Sequence, residues 1–179
     1  MNVALYGGSF NPPHVAHQMV SLYVLETAPV DELWLLPCFL HAFGKPLAPF
    51  GDRFRMCELA AQALGPRARV SDVERAIAQP SRTLVTVQTL QAQHPEHSFS
   101  VVIGADLVGE IASWYGGAEL QRTVPFIVVG RAGATAPVAD VAMPAVSSTE
   151  IRRRLNDGKS VEGLVPRTVL DYIYSRNLY

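Results

Sequence analysis

The chain has 179 residues, a formal net charge of −1, 49% hydrophobic and 17% charged residues. That length fits one domain, 1–179, with room for a sizeable core, and the apolar content excludes a disordered chain. The near-zero net charge argues against a broad grip on nucleic acid, no run is apolar enough to span a membrane, and Cys38 and Cys57 suit neither a zinc ribbon nor a redox pair.

The first apolar run, Val3-Ala4-Leu5-Tyr6, predicts a buried strand with no basic segment before it, as in a cytoplasmic protein without a signal peptide. It runs into Gly7-Gly8-Ser9-Phe10-Asn11-Pro12-Pro13-His14-Val15-Ala16-His17, and His17–Thr27 predicts a helix. Glycines at a strand end let the backbone turn sharply and approach a ligand closely. The exposed N–H groups of the following helix end attract anions, and His14 and His17 sit at its mouth. Together these features describe a phosphate site. As zinc ligands the two histidines would form only half a set, because no third Cys, His or acid lies near them in sequence.

Leu33–Pro37 predicts the second strand. His41–Gly51, with two prolines and two glycines, predicts a loop over the site, on which Lys45, aided by His41, can meet phosphate charge. Asp52–Leu64 reads as a helix, Arg69–Ser71 as a strand, Ala76–Arg82 as a second loop and Leu84–Gln93 as a helix. Ser98–Ile103 is a continuous apolar strand that ends at Gly104-Ala105-Asp106, with Trp114 downstream. Gly117–Gln121 reads as a short helix, Phe126–Val129 as a strand, Ala132–Pro137 as an exposed loop and Val138–Met143 as a weaker strand. Ser147-Ser148-Thr149 reads as the cap of a helix over Thr149–Asn156, with Arg152 turned inward and Arg153 and Arg154 solvated; Pro166–Arg176 predicts the last helix. Strands alternating with helices predict an α/β fold, a Rossmann-like doubly wound parallel sheet with helices on both faces. In such sheets ligands bind beyond the carboxyl ends of the strands, where Gly7-Gly8 and Gly104 fall.

Gly8-x-Phe10-x-Pro12-x-His14-x-x-His17 resembles the nucleotide-binding signature of the nucleotidylyltransferase superfamily. Val146-Ser147-Ser148-Thr149-Glu150-Ile151-Arg152 is similar to its Ile-Ser-Ser-Thr-x-Ile-Arg motif, with Val146 in place of Ile. Gly104-x-Asp106 followed by Trp114, and the stretch from Gly158 to Ile173, resemble the nicotinate mononucleotide adenylyltransferase branch. The resemblance implies transfer of AMP from ATP to nicotinate mononucleotide, giving deamido-NAD and pyrophosphate in NAD biosynthesis, with Mg2+ brought by the ATP phosphates and water. It implies ATP contacts from Gly7, Gly8, Ser9, Phe10, His14, His17, Gly104, Asp106, Ser147, Ser148, Thr149 and Arg152, and acceptor contacts from Lys45, Arg82, Thr83, Asp106 and Trp114.

Such a reaction joins two anions, so donors and cations that stabilise charge on the transferred group matter more than a covalent nucleophile. His14, His17, Lys45 and Arg152 are the candidates for that work. The chain departs from the family pattern in two further places. Ala16 stands where Gly is usual, and Arg82 and Val85 stand where the family tends to carry Tyr and Asp. The second departure bears on the acceptor, so nicotinamide mononucleotide and phosphopantetheine stay open as acceptors. A nucleotide-binding module without turnover is a further alternative.

Overall fold

A computed structural model of the protein describes residues 1–40, 44, 46–77, 80–131 and 142–179, apart from the side chains of Arg131 and Ala142. The strands are β1 (Asn2–Gly8), β2 (Glu32–Pro37), β3 (Ala68–Val70), β4 (Ser98–Gly104), β5 (Phe126–Arg131) and β6 (Ala142–Met143). They form a sheet in the order β3-β2-β1-β4-β5-β6, and every pairing is parallel. The helices are α1 (Val15–Thr27), α2 (Phe50–Gln62), α3 (Thr83–Gln93), α4 (Gly117–Thr123), α5 (Ser148–Asn156) and α6 (Arg167–Arg176). This is the doubly wound arrangement, with its reversal of strand order between β1 and β4.

Strand parity divides the core. Successive side chains of a strand point to opposite faces. Val3 and Leu5 of β1 and Phe99, Val101 and Ile103 of β4 pack with Leu84, Val87 and Leu90 of α3 and Leu120 of α4. Ala4 and Val102, between them in sequence, pack on the other face with Val24 and Leu25 of α1 and Cys57 and Ala61 of α2. A third cluster joins α2, α5 and α6 through Met56, Ala60, Ile151, Val169, Leu170 and Ile173. All six residues of β2 are buried, as a strand covered on both faces requires.

The structure moves several expected boundaries. Helix α1 starts at Val15, with His14 in extended conformation (φ −143°) as its cap, so the helix mouth lies nearer the glycine turn than the periodicity suggests. Helix α2 takes Phe50 and Gly51 from the expected loop, because Pro49 caps the helix and its carbonyl accepts the Arg53 N–H at 3.1 Å. Ala105–Ser113 forms 3-10 helix, where Gly109 weakens the α-helical pattern. Of the expected strand Val138–Met143, only Ala142–Met143 falls among the described residues, and the expected loop Ala132–Pro137 lies outside them. No helix among the described residues is long and apolar enough to cross a membrane.

Ile151 is fully buried and ties α5 to the third cluster. Ile151→Ala is expected to cost about 2–5 kcal/mol, read as a lower urea midpoint at unchanged slope. An unchanged midpoint would show that this contact does not hold α5.

Candidate active site

A cavity of about 860 Å³ opens at the carboxyl ends of β1 and β4, where the strand order reverses. Gly7, Gly8, Ser9, His14, His17, Arg82, Thr83, Gly104, Asp106, Trp114, Ser147 and Ser148 all line it. Residues separated by up to 141 positions in sequence are thus brought to one place. Two helix N-termini, those of α1 and α5, meet there, and the positive end of each helix dipole suits anions.

On the α1 side the histidines act as a unit. The His14 N–H donates to His17 Nδ1 at 3.1 Å, and the two rings stack with centroids 3.7 Å apart. Because Nδ1 accepts, the proton of a neutral His17 ring sits on Nε2. Phe10 supports this pair from below. It is 1% exposed, and its ring lies edge-on to His17 at 4.9 Å and to Tyr6 at 5.7 Å. A Cβ on Gly8 would meet the Phe10 ring at 3.1 Å, so glycine there permits the turn to close over the phenyl group. Phe10 therefore serves as a floor beneath the site.

The turn Ser9–Pro12 is held from outside itself. Arg53, 1% exposed, donates from Nη1 to the Ser9 carbonyl at 2.9 Å, from Nε to the Ala48 carbonyl at 2.9 Å and from Nη2 to the Phe39 carbonyl at 3.3 Å. Asn11 Oδ1 accepts from the Ala48 N–H at 3.0 Å and from the Tyr179 hydroxyl at 2.6 Å. Ser148 Oγ donates to the Pro12 carbonyl at 2.8 Å. Burial, opposed by nearby Arg152 and Arg53, pushes the Tyr179 phenol up, so it stays a donor. Arg53 and Tyr179 escape a motif search. The readable signal for Arg53 is its helical spacing with buried Met56, Cys57 and Ala60, which puts a cation on an inward face.

On the α5 side, Ser147 Oγ caps the helix by accepting the Glu150 N–H at 3.2 Å. Arg152 turns towards the turn after β1: Nη1 donates to the Asn11 carbonyl at 2.7 Å and Nη2 approaches Thr149 Oγ1 at 3.5 Å. It lines a smaller cleft of about 360 Å³ with Asn11 and Tyr179, and is not among the residues lining the main cavity. Arg153 and Arg154 are solvated, as expected, and bind Glu150; their hydrogen bonds lower its carboxyl to about 2. Lys45 and His41 lie outside the described residues.

The opposite wall is built by β4, the 3-10 segment and α3. A Cβ on Gly104 would collide with Asp106 Oδ1, so only glycine lets that carboxylate fold back over the strand end. Trp114 packs on the core with one side and lines the cavity with the other. Arg82 is exposed, with its guanidinium 4.7 Å from the centre of the Tyr115 ring. Among the lining residues that the sequence reading does not single out are Glu74 and Cys38. Glu74 is 5% exposed and accepts a hydrogen bond from Thr86 Oγ1, and no local pattern marks it. Cys38 follows β2 directly, and burial, opposed by the Arg53 charge, raises its thiol and keeps it protonated.

The chain is similar to several known proteins. The cytidylyltransferase-like family model matches residues 5–154. A probable nicotinate-nucleotide adenylyltransferase of Anaeromyxobacter sp. (strain K) is 49% identical over 180 residues, covering 99% of this chain and 96% of that protein. One of the same description from Myxococcus xanthus is 37% identical, covering 100% and 95%. The structure of Plasmodium falciparum nicotinic acid mononucleotide adenylyltransferase complexed with NaAD superposes with a TM-score of 0.85 over 99% of this chain and 97% of that one, at 24% identity, which speaks for the fold.

Arg53→Met keeps the bulk of the side chain and removes its three donations. It is expected to lower unfolding stability by at least about 2 kcal/mol, measured by chemical denaturation. A loss near zero would mean that the three carbonyls find other donors.

Proposed function

Because the chain belongs to the nicotinate-nucleotide adenylyltransferase family of the nucleotidyltransferase superfamily, we propose that it transfers AMP from ATP to nicotinate mononucleotide, forming deamido-NAD and pyrophosphate. The observation that carries this reading is the meeting of two anion-attracting helix ends and an indole face in one cavity at the β1/β4 reversal.

The triphosphate lies across the two helix ends. Gly7, Gly8, Ser9 and Gly104 let the backbone come close to the nucleotide, and Asp106 accepts from its ribose hydroxyls. His14 and His17 face the α-phosphate. Ser147, Ser148 and Thr149, with the charge of Arg152 behind them, favour the outer phosphates, and Lys45 adds charge on sequence grounds. A phosphate oxygen of the acceptor attacks the α-phosphorus in line, the bond to the bridging oxygen of pyrophosphate breaks, and no general base is needed. The Nε2–H of His17 stabilises the oxygens of the transferred group as charge builds on them.

Among the described residues no three metal ligands converge in the cavity. Its carboxylates, Asp106 among them, suit a magnesium ion carried by the ATP phosphates and touched through water. Bound in that way, magnesium supplies charge neutralisation on the phosphates. On the acceptor side Trp114 offers a flat face to the pyridine ring. Thr83 and the Arg82 guanidinium over Tyr115 stand beside it, and a cation there favours the nicotinate carboxylate over the nicotinamide amide.

His17→Ala is expected to lower kcat by about 10²–10³ with little change in ATP binding; a near-normal kcat would remove His17 from the reaction. Pyrophosphate release with each mononucleotide, at equal ATP and magnesium, tests the whole reading. A higher kcat/KM is expected for nicotinate mononucleotide, with the preference reduced in Arg82→Met. A preference for the amide would overturn the acceptor, and no release with either would overturn the reaction.

A further inference from the structure

The N-terminal edge of the sheet carries a second constellation, unconnected with the cavity. Helix α3 ends in the turn His94-Pro95-Glu96-His97, which leads into β4. The His97 N–H donates to the His94 carbonyl at 3.0 Å, closing a β-turn with Pro95 at its second position. A closed turn holds its first and last residues side by side. The two imidazole rings accordingly lie nearly parallel, 6° apart in plane, with centroids at 5.3 Å.

Glu96 Oε1 lies 3.7 Å from His94 Nδ1 and 3.4 Å from His97 Nδ1. The donor atoms of the three residues all fall within 4.8 Å of one another. Ligands at 2.0–2.1 Å from a tetrahedral zinc ion stand about 3.4 Å apart, so the two Glu96 distances are close to those of a metal polyhedron's edges. His97 Nδ1 is buried and makes no hydrogen bond among the described residues, a cost that a coordinate bond would remove. Its ring is locked by edge contacts with Trp34 at 6.0 Å and Phe99 at 6.2 Å. Glu96, 61% exposed at the side chain, leaves a path from solvent.

We propose that His94, Glu96 and His97 form a binding site for a divalent cation of the zinc class, with water completing the coordination. Two imidazoles and one carboxylate suit Zn2+, Co2+ and Ni2+, whereas Mg2+ and Ca2+ demand oxygen ligands. The site is structural. It clips the carboxyl end of α3 to the head of β4, roughly 20 Å from the candidate active site by the length of a seven-residue strand. It is independent of adenylyl transfer.

Trp34 is a built-in reporter, since its ring centre lies 5.3 Å from that of His94. In a Trp114→Phe background it is the sole tryptophan of the chain. Titration of chelator-treated protein with Co2+ or Ni2+, in excess Mg2+, is expected to quench Trp34 saturably at one equivalent. Calorimetry with Zn2+ is expected to give the same stoichiometry, and Zn2+ to raise Tm. His94→Ala and Glu96→Gln, both at exposed or half-exposed positions, are each expected to weaken binding at least about tenfold and to abolish the Tm shift, while His17→Ala leaves both intact. Absence of saturable binding, survival of binding in both variants, or loss of binding in His17→Ala instead would each overturn the proposal.

Discussion

The turn between β1 and α1 cannot satisfy its own backbone. Pro12 and Pro13 supply no N–H, and the chain there is neither strand nor helix. Its oxygens are met from elsewhere: Ser9 by Arg53, Asn11 by Arg152, Ala48 and Tyr179, and Pro12 by Ser148. Most of the molecule is arranged so that these donors arrive together. Helix α2 presents Arg53 because Met56, Cys57 and Ala60 bury the same face. Helix α5 presents Ser148 and Arg152 because Ile151 is held in the cluster that also seats α6.

A buried guanidinium is costly unless its donors are used, and Arg53 uses Nε, Nη1 and Nη2 on three carbonyls from three segments. These bonds tie together the end of the β1 turn, the residue after Cys38 and the entry to α2. Arg152 plays a matching part from the other side. The motif reading aims Arg152 at outer phosphates; in the structure its guanidinium meets the Asn11 carbonyl. In this structure the Arg152 charge lies against the turn after β1.

Most of the architecture could be read from local signals. Apolar runs such as Val101-Val102-Ile103 announce buried strands, and Ser147 announces a helix cap, because each is decided by neighbours a few residues away. The lining residues His14, His17, Gly104, Asp106, Trp114, Ser147 and Ser148 were legible for the same reason: they stand in short motifs. Arg53, Tyr179 and Glu74 were not, since their partners lie 44, 168 and 12 residues away. The position of Arg82 over Tyr115 likewise depends on how α3 meets the segment after Trp114, which no local pattern encodes.

The spread of those anchors along the chain has a consequence for folding. The turn after β1 is among the earliest segments in sequence, yet three of the groups that hold it lie 136, 141 and 168 residues further on. Loop closure over such separations is entropically opposed until the intervening elements have packed. A chain that has formed only β1 to β4 has the glycines and histidines but lacks Ser148, Arg152 and Tyr179. The shape of the anion site therefore depends on the carboxyl-terminal third of the chain, and the sheet from β1 to β4 alone carries the motif without the shape that makes it a site.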